Sequence, residues 1–97
     1  MSGTTCVSSG LRTADAPIYV GRGTLNALTV VTDGTNAATV TLYDNATAAT
    51  GNVLAKLVVG GAAGTGFQAW NLAVRCLQGI YADVTGTGAG YIVYFGA

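Results

Sequence analysis

Charged side chains are scarce in this 97-residue chain. Four basic and four acidic residues give a formal net charge of zero, and together they make up 8% of the sequence, against about 25% in ordinary globular domains. A monomer with so few charges is poorly protected against association. The scarcity therefore predicts a surface that is either rich in uncharged polar residues or partly covered by other chains.

Histidine and glutamate are absent, which removes the commonest general base and metal ligand. The acidic residues are four aspartates that lie far apart in the sequence. Asp33 and Asp44 are in turn-like segments, where aspartate ordinarily accepts hydrogen bonds from nearby amides. A carboxylate pair of the glycosidase kind could still form in the folded chain, but we expect no catalytic residue, no cofactor and no metal ion.

Neither a membrane nor a nucleic acid is an expected partner. No stretch approaches the roughly 18 to 20 consecutive apolar residues that cross a bilayer, and the first seven residues lack the pattern of a secretion signal. This favours synthesis in the cytosol. The basic residues are dispersed along the sequence, which argues against nucleic-acid binding; they are Arg12, Arg22, Lys56 and Arg75.

The two cysteines, Cys6 and Cys76, do not form a metal-binding motif. No C-x-x-C or Cys/His spacing of the kind that binds zinc is present. Whether the two could be bridged depends on geometry that a sequence does not contain. Because disulfides are rare in the cytosol, we expect two free thiols.

Short strand-like segments occupy most of the chain. They are bounded by glycine, aspartate and asparagine, and residues 1–15 read as an N-terminal arm or a loose edge strand. The pattern predicts one domain over residues 1–97, an all-β, jelly-roll-like antiparallel sandwich of seven to eight short strands. The predicted strands are residues 17–20, 25–32, 38–43, 53–59, 67–72, 74–77, 80–85 and 91–95.

Glycine-containing turns separate several of these strands. Asp33 and Gly34 lie between two of them and predict a tight hairpin in which residues 25–32 pair with residues 38–43. Gly86 and Gly88 turn the chain into its last strand. The glycine-rich stretches resemble phosphate-binding loops but are not followed by a helix, so we interpret them as turns.

Two predicted strands are apolar on both faces. In residues 53–59, Leu54 and Val58 share a face with Lys56, and residues 91–95 are apolar throughout. Such a strand can be covered on both sides by its own fold, or its outer face can be buried in an oligomer. The low charge favours the second interpretation, with Leu54, Val58, Ile92 and Tyr94 as the candidate assembly interface.

Aromatic residues provide another candidate surface. Trp70, Tyr81 and Tyr91 could form a platform on which a sugar stacks, although packing in a core or an interface is the commoner use of such residues.

Two motifs of the chain have counterparts in a known family. The first is carried by Asp33, Gly34, Thr35, Tyr43, Asp44 and Asn45. The second, in a C-terminal hairpin pattern, is carried by Gly79, Tyr81, Val84, Thr85, Gly86 and Tyr94. Through these motifs, residues 21–95 resemble a family of small all-β virion proteins of tailed bacteriophages.

The resemblance implies a structural role without catalytic residues. Members of this kind look like capsid decoration (cement) proteins or components near the neck and fibres, assembled in the host cytoplasm. The expected partners are the major capsid protein, or other virion proteins, and copies of the chain, with a trimer preferred by analogy with cement proteins. The alternatives are a neck, fibre or spike component, or a carbohydrate- or host-binding module that uses the aromatic residues.

Overall fold

The described part of the chain is built from β-strands. The computed structural model describes residues 6–60, 66–69 and 72–96. These residues contain no helix, and therefore no helical segment long and apolar enough to span a bilayer. The nine strands are β1 (Val7–Ser8), β2 (Ala16–Val20), β3 (Gly23–Val31), β4 (Ala38–Tyr43), β5 (Val53–Val59), β6 (Gly66–Ala69), β7 (Val74–Cys76), β8 (Gly79–Thr85) and β9 (Gly90–Gly96).

The strands form two antiparallel sheets. Sheet A has the order β1-β9-β3-β6, with β7 also paired to β3, and sheet B has the order β2-β8-β4-β5. β7 pairs with the first part of β3 and β6 with the last part, so these two short strands share one position in the sheet. Counted this way, each sheet has four strand positions, in the order of a jelly roll. The predicted all-β, jelly-roll-like sandwich is confirmed.

The predicted pairing of residues 25–32 with residues 38–43 is wrong. β3 lies in sheet A and β4 in sheet B, so the loop that contains Asp33 and Gly34 crosses from one sheet to the other. The C-terminal hairpin is likewise absent, because β8 and β9 lie in different sheets. Alternation of apolar residues predicts which side chains face the core, but it does not predict which strand lies alongside.

The core lies between the two sheets and is formed mainly by alternate residues of β3, β4, β8 and β9. In β8, Ile80 and Ala82 are fully buried and Val84 packs against the core, while Tyr81 and Asp83 lie on the outer face. This is the predicted alternation. Burying each large aliphatic side chain contributes about 1.5–3 kcal/mol. The largest fully buried side chains, aliphatic except for the first, include Tyr91, Leu25, Leu28, Leu42, Ile80, Val30, Val40 and Val93.

The loops at each end of the sandwich pack against one another. At one end, the Asp44 carboxylate accepts hydrogen bonds from the backbone N–H groups of Leu77, Gln78 and Gly79, at 3.0, 2.8 and 3.4 Å. At the other end, a Cβ added to Gly88 would lie 2.6 Å from the side chain of Asp33. The predicted turn glycines at positions 34, 86 and 88 have φ angles of +86°, +120° and +73°, a conformation that favours glycine.

A strap, residues 9–15, closes one side of the sandwich between β1 and β2. The N–H of Ser9 donates to the carbonyl of Val93, and Arg12 forms a bridge to Tyr91 through two backbone hydrogen bonds of 2.8 and 2.9 Å. The strap therefore runs from the edge of sheet A to the edge of sheet B. β1 is a two-residue edge strand within residues 1–15, which were predicted to be an N-terminal arm or a loose edge strand, although β1 was not among the eight predicted strands.

Candidate functional site

The predicted interface residues do not form one patch. Val58 is on β5, at the edge of sheet B, and is 65% exposed. Ile92 and Tyr94 are half-buried on β9, in sheet A. The structure therefore places the residues of the single predicted interface on two separate apolar surfaces, one on each sheet.

Leu54 was predicted to lie on the exposed face with Val58. That prediction is wrong, because Leu54 packs against the core. The pairing of β4 with β5 shifts register at this point, so that Leu42 lies opposite Ala55 but Tyr43 lies opposite Val53. Leu54 is the extra residue of this bulge, and a bulge interrupts the strict alternation of a strand. Val53 is 54% exposed instead.

The outer face of sheet A carries an uncharged strip. We define the sheet A strip as Ala27, Thr29, Val31, Ile92 and Tyr94, which are neighbours in the pairing of β3 with β9. Ala27 is 1% exposed although it does not belong to the core cluster, and Val31 is 39% exposed. The hydroxyl of Thr29 is shielded from solvent and has no hydrogen-bond partner among the described residues.

The sequence predicted that Tyr91 belongs to an aromatic surface, and this prediction is wrong. This side chain is fully buried, and its hydroxyl donates a 2.8 Å hydrogen bond to the carbonyl of Ala14. Burial raises the pKa of the phenol to about 12. Like Val93, Tyr91 faces the core, and its strand has a neighbour on both sides. Its ring therefore cannot stack on a ligand. Tyr81 is half-buried on the outer face of sheet B, opposite Tyr43, and Trp70 lies outside the described residues.

Two aspartates that are distant in the sequence meet at the edge of sheet B. The carboxylate of Asp15 accepts a 2.8 Å hydrogen bond from the N–H of Val84, the residue after Asp83, so its side chain lies near that of Asp83. Burial, and then the adjacent charge of Asp15, raise the pKa of Asp83 above its usual value. We refer to Asp15 and Asp83 as the aspartate pair. The sequence left such a meeting open without indicating which carboxylates take part.

Two arginines also converge. Arg22, Gly23, Thr24 and Arg75 line a shallow cavity of about 170 Å³, which we call the arginine notch. The notch forms because β7 pairs with β3 and places Arg75 opposite Thr24, two residues after Arg22. The basic residues are dispersed along the sequence, but the fold brings these two to one cavity. A cavity of this size is smaller than the roughly 300–1,000 Å³ of most small-molecule sites.

The cysteines are both free thiols, as predicted, with Cys6 exposed and Cys76 buried. Burial raises the pKa of the Cys76 thiol. Within the described ranges, no cluster of three or more cysteine and acidic side chains is arranged to hold a metal ion.

Comparisons with protein-family models, curated proteins and solved structures found no match to this chain. The surfaces described above and the sequence motifs are therefore the basis for a functional proposal. Of these surfaces, the exposed apolar residues lie outside the core, and the two like-charged pairs are electrostatically unfavourable within one subunit.

Proposed function

We propose that this chain is a non-enzymatic structural protein that decorates the capsid of a tailed bacteriophage. The observation that carries the proposal is the amount of apolar surface left outside the core. Seven large apolar side chains among the described residues are at least 39% exposed, in a protein with four basic and four acidic residues. They are Val7, Leu11, Val20, Val31, Val53, Val58 and Leu77.

This surface favours assembly for an energetic reason. Burying a large aliphatic side chain contributes about 1.5–3 kcal/mol relative to leaving it in water. Scattered apolar residues are normal on a protein surface, but a chain with so few charges has little else to keep it soluble. Contact with other subunits would remove much of this surface from water.

The β5 edge strand is the strongest single element for such a contact. It pairs with β4 on one side and has no strand partner on the other among the described residues. Val53 and Val58 are exposed near its two ends, and Lys56 is between them. A long apolar edge is a site at which another chain can pair, and a lysine on it limits uncontrolled pairing.

The sequence motifs supply the virion context of the proposal. Jelly rolls occur in viral capsid domains and in lectins, so the fold is compatible with decoration without requiring it. In this proposal the chain forms a homo-oligomer, by preference a trimer, and binds the major capsid protein.

Two measurements test the proposal together. Light scattering at micromolar concentration should give a discrete oligomer, and the protein should co-sediment in stoichiometric amounts with phage heads that lack it. A glycan array is the matched experiment for the alternative of a carbohydrate-binding module. Binding to glycans without binding to heads would contradict the proposal.

A further inference from the structure

Like charges are paired at two places on this molecule. The arginine notch holds two of the four basic side chains, and the aspartate pair holds two of the four acidic ones. Arg22, Arg75 and Asp15 are exposed, and Asp83 is half-exposed. Each pair is electrostatically unfavourable when it stands alone, because like charges in proximity repel.

The two pairs lie at opposite ends of one strand. Asp15 immediately precedes β2 (Ala16–Val20), and Arg22 follows its end by two residues. At about 3.3 Å per residue, a five-residue strand separates them by roughly 17 Å. That exceeds the Debye length of about 8 Å at physiological ionic strength. The pairs therefore neutralise each other poorly within one subunit.

Of the four other charged side chains, three are engaged with the backbone, and Lys56 lies on β5, two strands away from Asp83. Asp33 accepts hydrogen bonds from the N–H groups of Thr35 and Asn36, and Asp44 accepts from the β7–β8 turn. Among the described residues no carboxylate lines the arginine notch. Arg12 directs its Nε to the carbonyl of Ser9, at 3.2 Å.

We propose that the arginine notch of one subunit binds the aspartate pair of a second copy, so that the chain associates head to tail. Two guanidinium groups and two carboxylates match in number, and arginine is well suited to bind a carboxylate through two parallel hydrogen bonds. With a volume of about 170 Å³, the notch has room for carboxyl groups and is smaller than most small-molecule sites.

Apolar residues beside the notch add contact area. Val20 and Leu77 are 67% and 55% exposed, and their turns are joined by a hydrogen bond from the N–H of Gly21 to the carbonyl of Gln78. A second copy seated on the notch would cover them. Exposed ion pairs contribute little affinity, so the charges set the orientation and the apolar residues supply most of the stabilisation.

Head-to-tail contact uses two different surfaces of the same chain. Such a contact closes into a ring when its rotation allows, and a trimer is one such ring. This inference rests on the proposed self-association and adds its geometry. It predicts a cyclic arrangement, in contrast to a two-fold dimer in which one surface meets its own copy.

Charge reversal tests the contact in sedimentation velocity experiments. Arg22→Glu with Arg75→Glu, and separately Asp83→Lys, should each raise the dissociation constant of the oligomer by about tenfold or more. An equimolar mixture of the two variants should associate again. The acidic notch of the first variant then meets the introduced lysine of the second, and the intact notch of the second meets the intact aspartate pair of the first. These restored contacts join unlike variants, and a three-membered ring would keep one contact between like variants. The mixed complexes should therefore contain an even number of subunits and should not close as a trimer. Thr35→Glu, which adds a charge on an exposed loop outside both pairs and outside β5, is the control and should associate like wild type.

Asp83→Asn separates assembly from folding. Loss of this charge relieves the repulsion with Asp15, so at pH 7 the variant monomer should melt at the same temperature as the wild-type monomer or higher, while its oligomer weakens. A variant that weakens both would indicate a structural role and overturn the inference.

The outcomes also distinguish this inference from the proposed function. An oligomer that is unchanged by both charge reversals, or a mixture that stays dissociated, overturns the head-to-tail contact and leaves capsid decoration standing. A wild-type protein that binds heads as a monomer likewise overturns the head-to-tail contact and leaves capsid decoration standing. A protein that neither associates nor binds heads overturns both.

Discussion

At the scale of single residues, Asp44 joins two loops that are far apart in the sequence. The residue is 9% exposed, and its carboxylate accepts hydrogen bonds from the backbone of the β7–β8 turn. Burial raises the pKa of this carboxyl, but the N–H groups of Gln78, Leu77 and Gly79 outweigh burial and hold the pKa below its usual value. The sequence predicted that Asp44 bonds to backbone amides, but it placed them in the local turn.

We expect Asp44→Asn to lower the free energy of unfolding by about 1.5–3 kcal/mol, the usual contribution of hydrogen bonds to a charged group. The amide also presents an NH₂ group where two acceptor oxygens are needed. Urea denaturation at pH 7 measures the change. Asp33→Asn, on an exposed loop, is the control and should cost less; equal costs would mean that the contact with the β7–β8 turn is unimportant.

Stability should depend on pH in acid and very little near neutrality. Hydrogen bonds from Asn36 and Thr35 lower the pKa of Asp33, and Asp44 is also lowered. Groups with lowered pKa stabilise the fold above their unfolded pKa, and this contribution is lost as the pH falls through the folded value. Asp83, with a raised pKa, has the opposite effect: its protonated form stabilises the fold, and that contribution is lost as the pH rises through its folded pKa.

We therefore expect a nearly constant melting temperature between pH 5 and 8, where no histidine titrates, and a decline below about pH 4. Asp44→Asn should reduce the slope of that decline. A steep change between pH 5 and 8 in the wild type would show that another group titrates there.

Gly34 requires glycine for its backbone conformation. With φ at +86°, Gly34→Val should cost about 1–3 kcal/mol, because a β-branched residue is strained there. The control is Gly60→Val, at a glycine without positive φ whose added Cβ meets no atom of the described residues within 4 Å. Equal denaturation midpoints for the two variants would contradict this explanation.

The two thiols should react at different rates. Cys6 is exposed and Cys76 is buried with a raised pKa, so a thiol reagent should label one cysteine per native chain rapidly and the second only on unfolding. Intact-mass measurement over time follows both. Two equal rates in the native protein would mean that the Cys76 region opens readily.

At the scale of strands, the positions of elements could be predicted well and their partners could not. Residues 38–43 and 53–59 were predicted with the observed bounds, because alternation and turn residues are local signals. The strand partner is decided by how the chain crosses between sheets, which the local pattern around Asp33 does not contain. The bulge at Leu54 was missed for a related reason: it belongs to a pair of strands.

Leu54 and Val58 provide a matched pair on one strand. Leu54→Lys should destabilise the monomer, because the side chain packs against the core. Val58→Lys should leave the urea midpoint within about 0.5 kcal/mol of wild type, as is usual for surface substitutions, while weakening association in light scattering. If Val58→Lys leaves both stability and association unchanged, the β5 edge is not an assembly surface.

At the scale of the whole molecule, composition already indicated a sandwich with few charges. What it did not indicate was where those charges meet. Asp15 and Asp83 become neighbours because β2 pairs with β8, and Arg22 and Arg75 because β7 pairs with β3. Both charged pairs are thus products of topology, and neither has a motif in the sequence.

The position of β9 also has a consequence during synthesis of the protein. β9 follows the other eight described strands in chain order, yet in sheet A it lies between β1 and β3. Until β9 has left the ribosome, β1 and β3 have no strand to join them, and Leu28 and Val30 lack their neighbours Val93 and Tyr91. Pairing of distant strands is slow to form, and a chain waiting for such a partner exposes apolar surface that other chains can bind. The nascent chain should therefore be most prone to such contacts in the interval before β9 emerges.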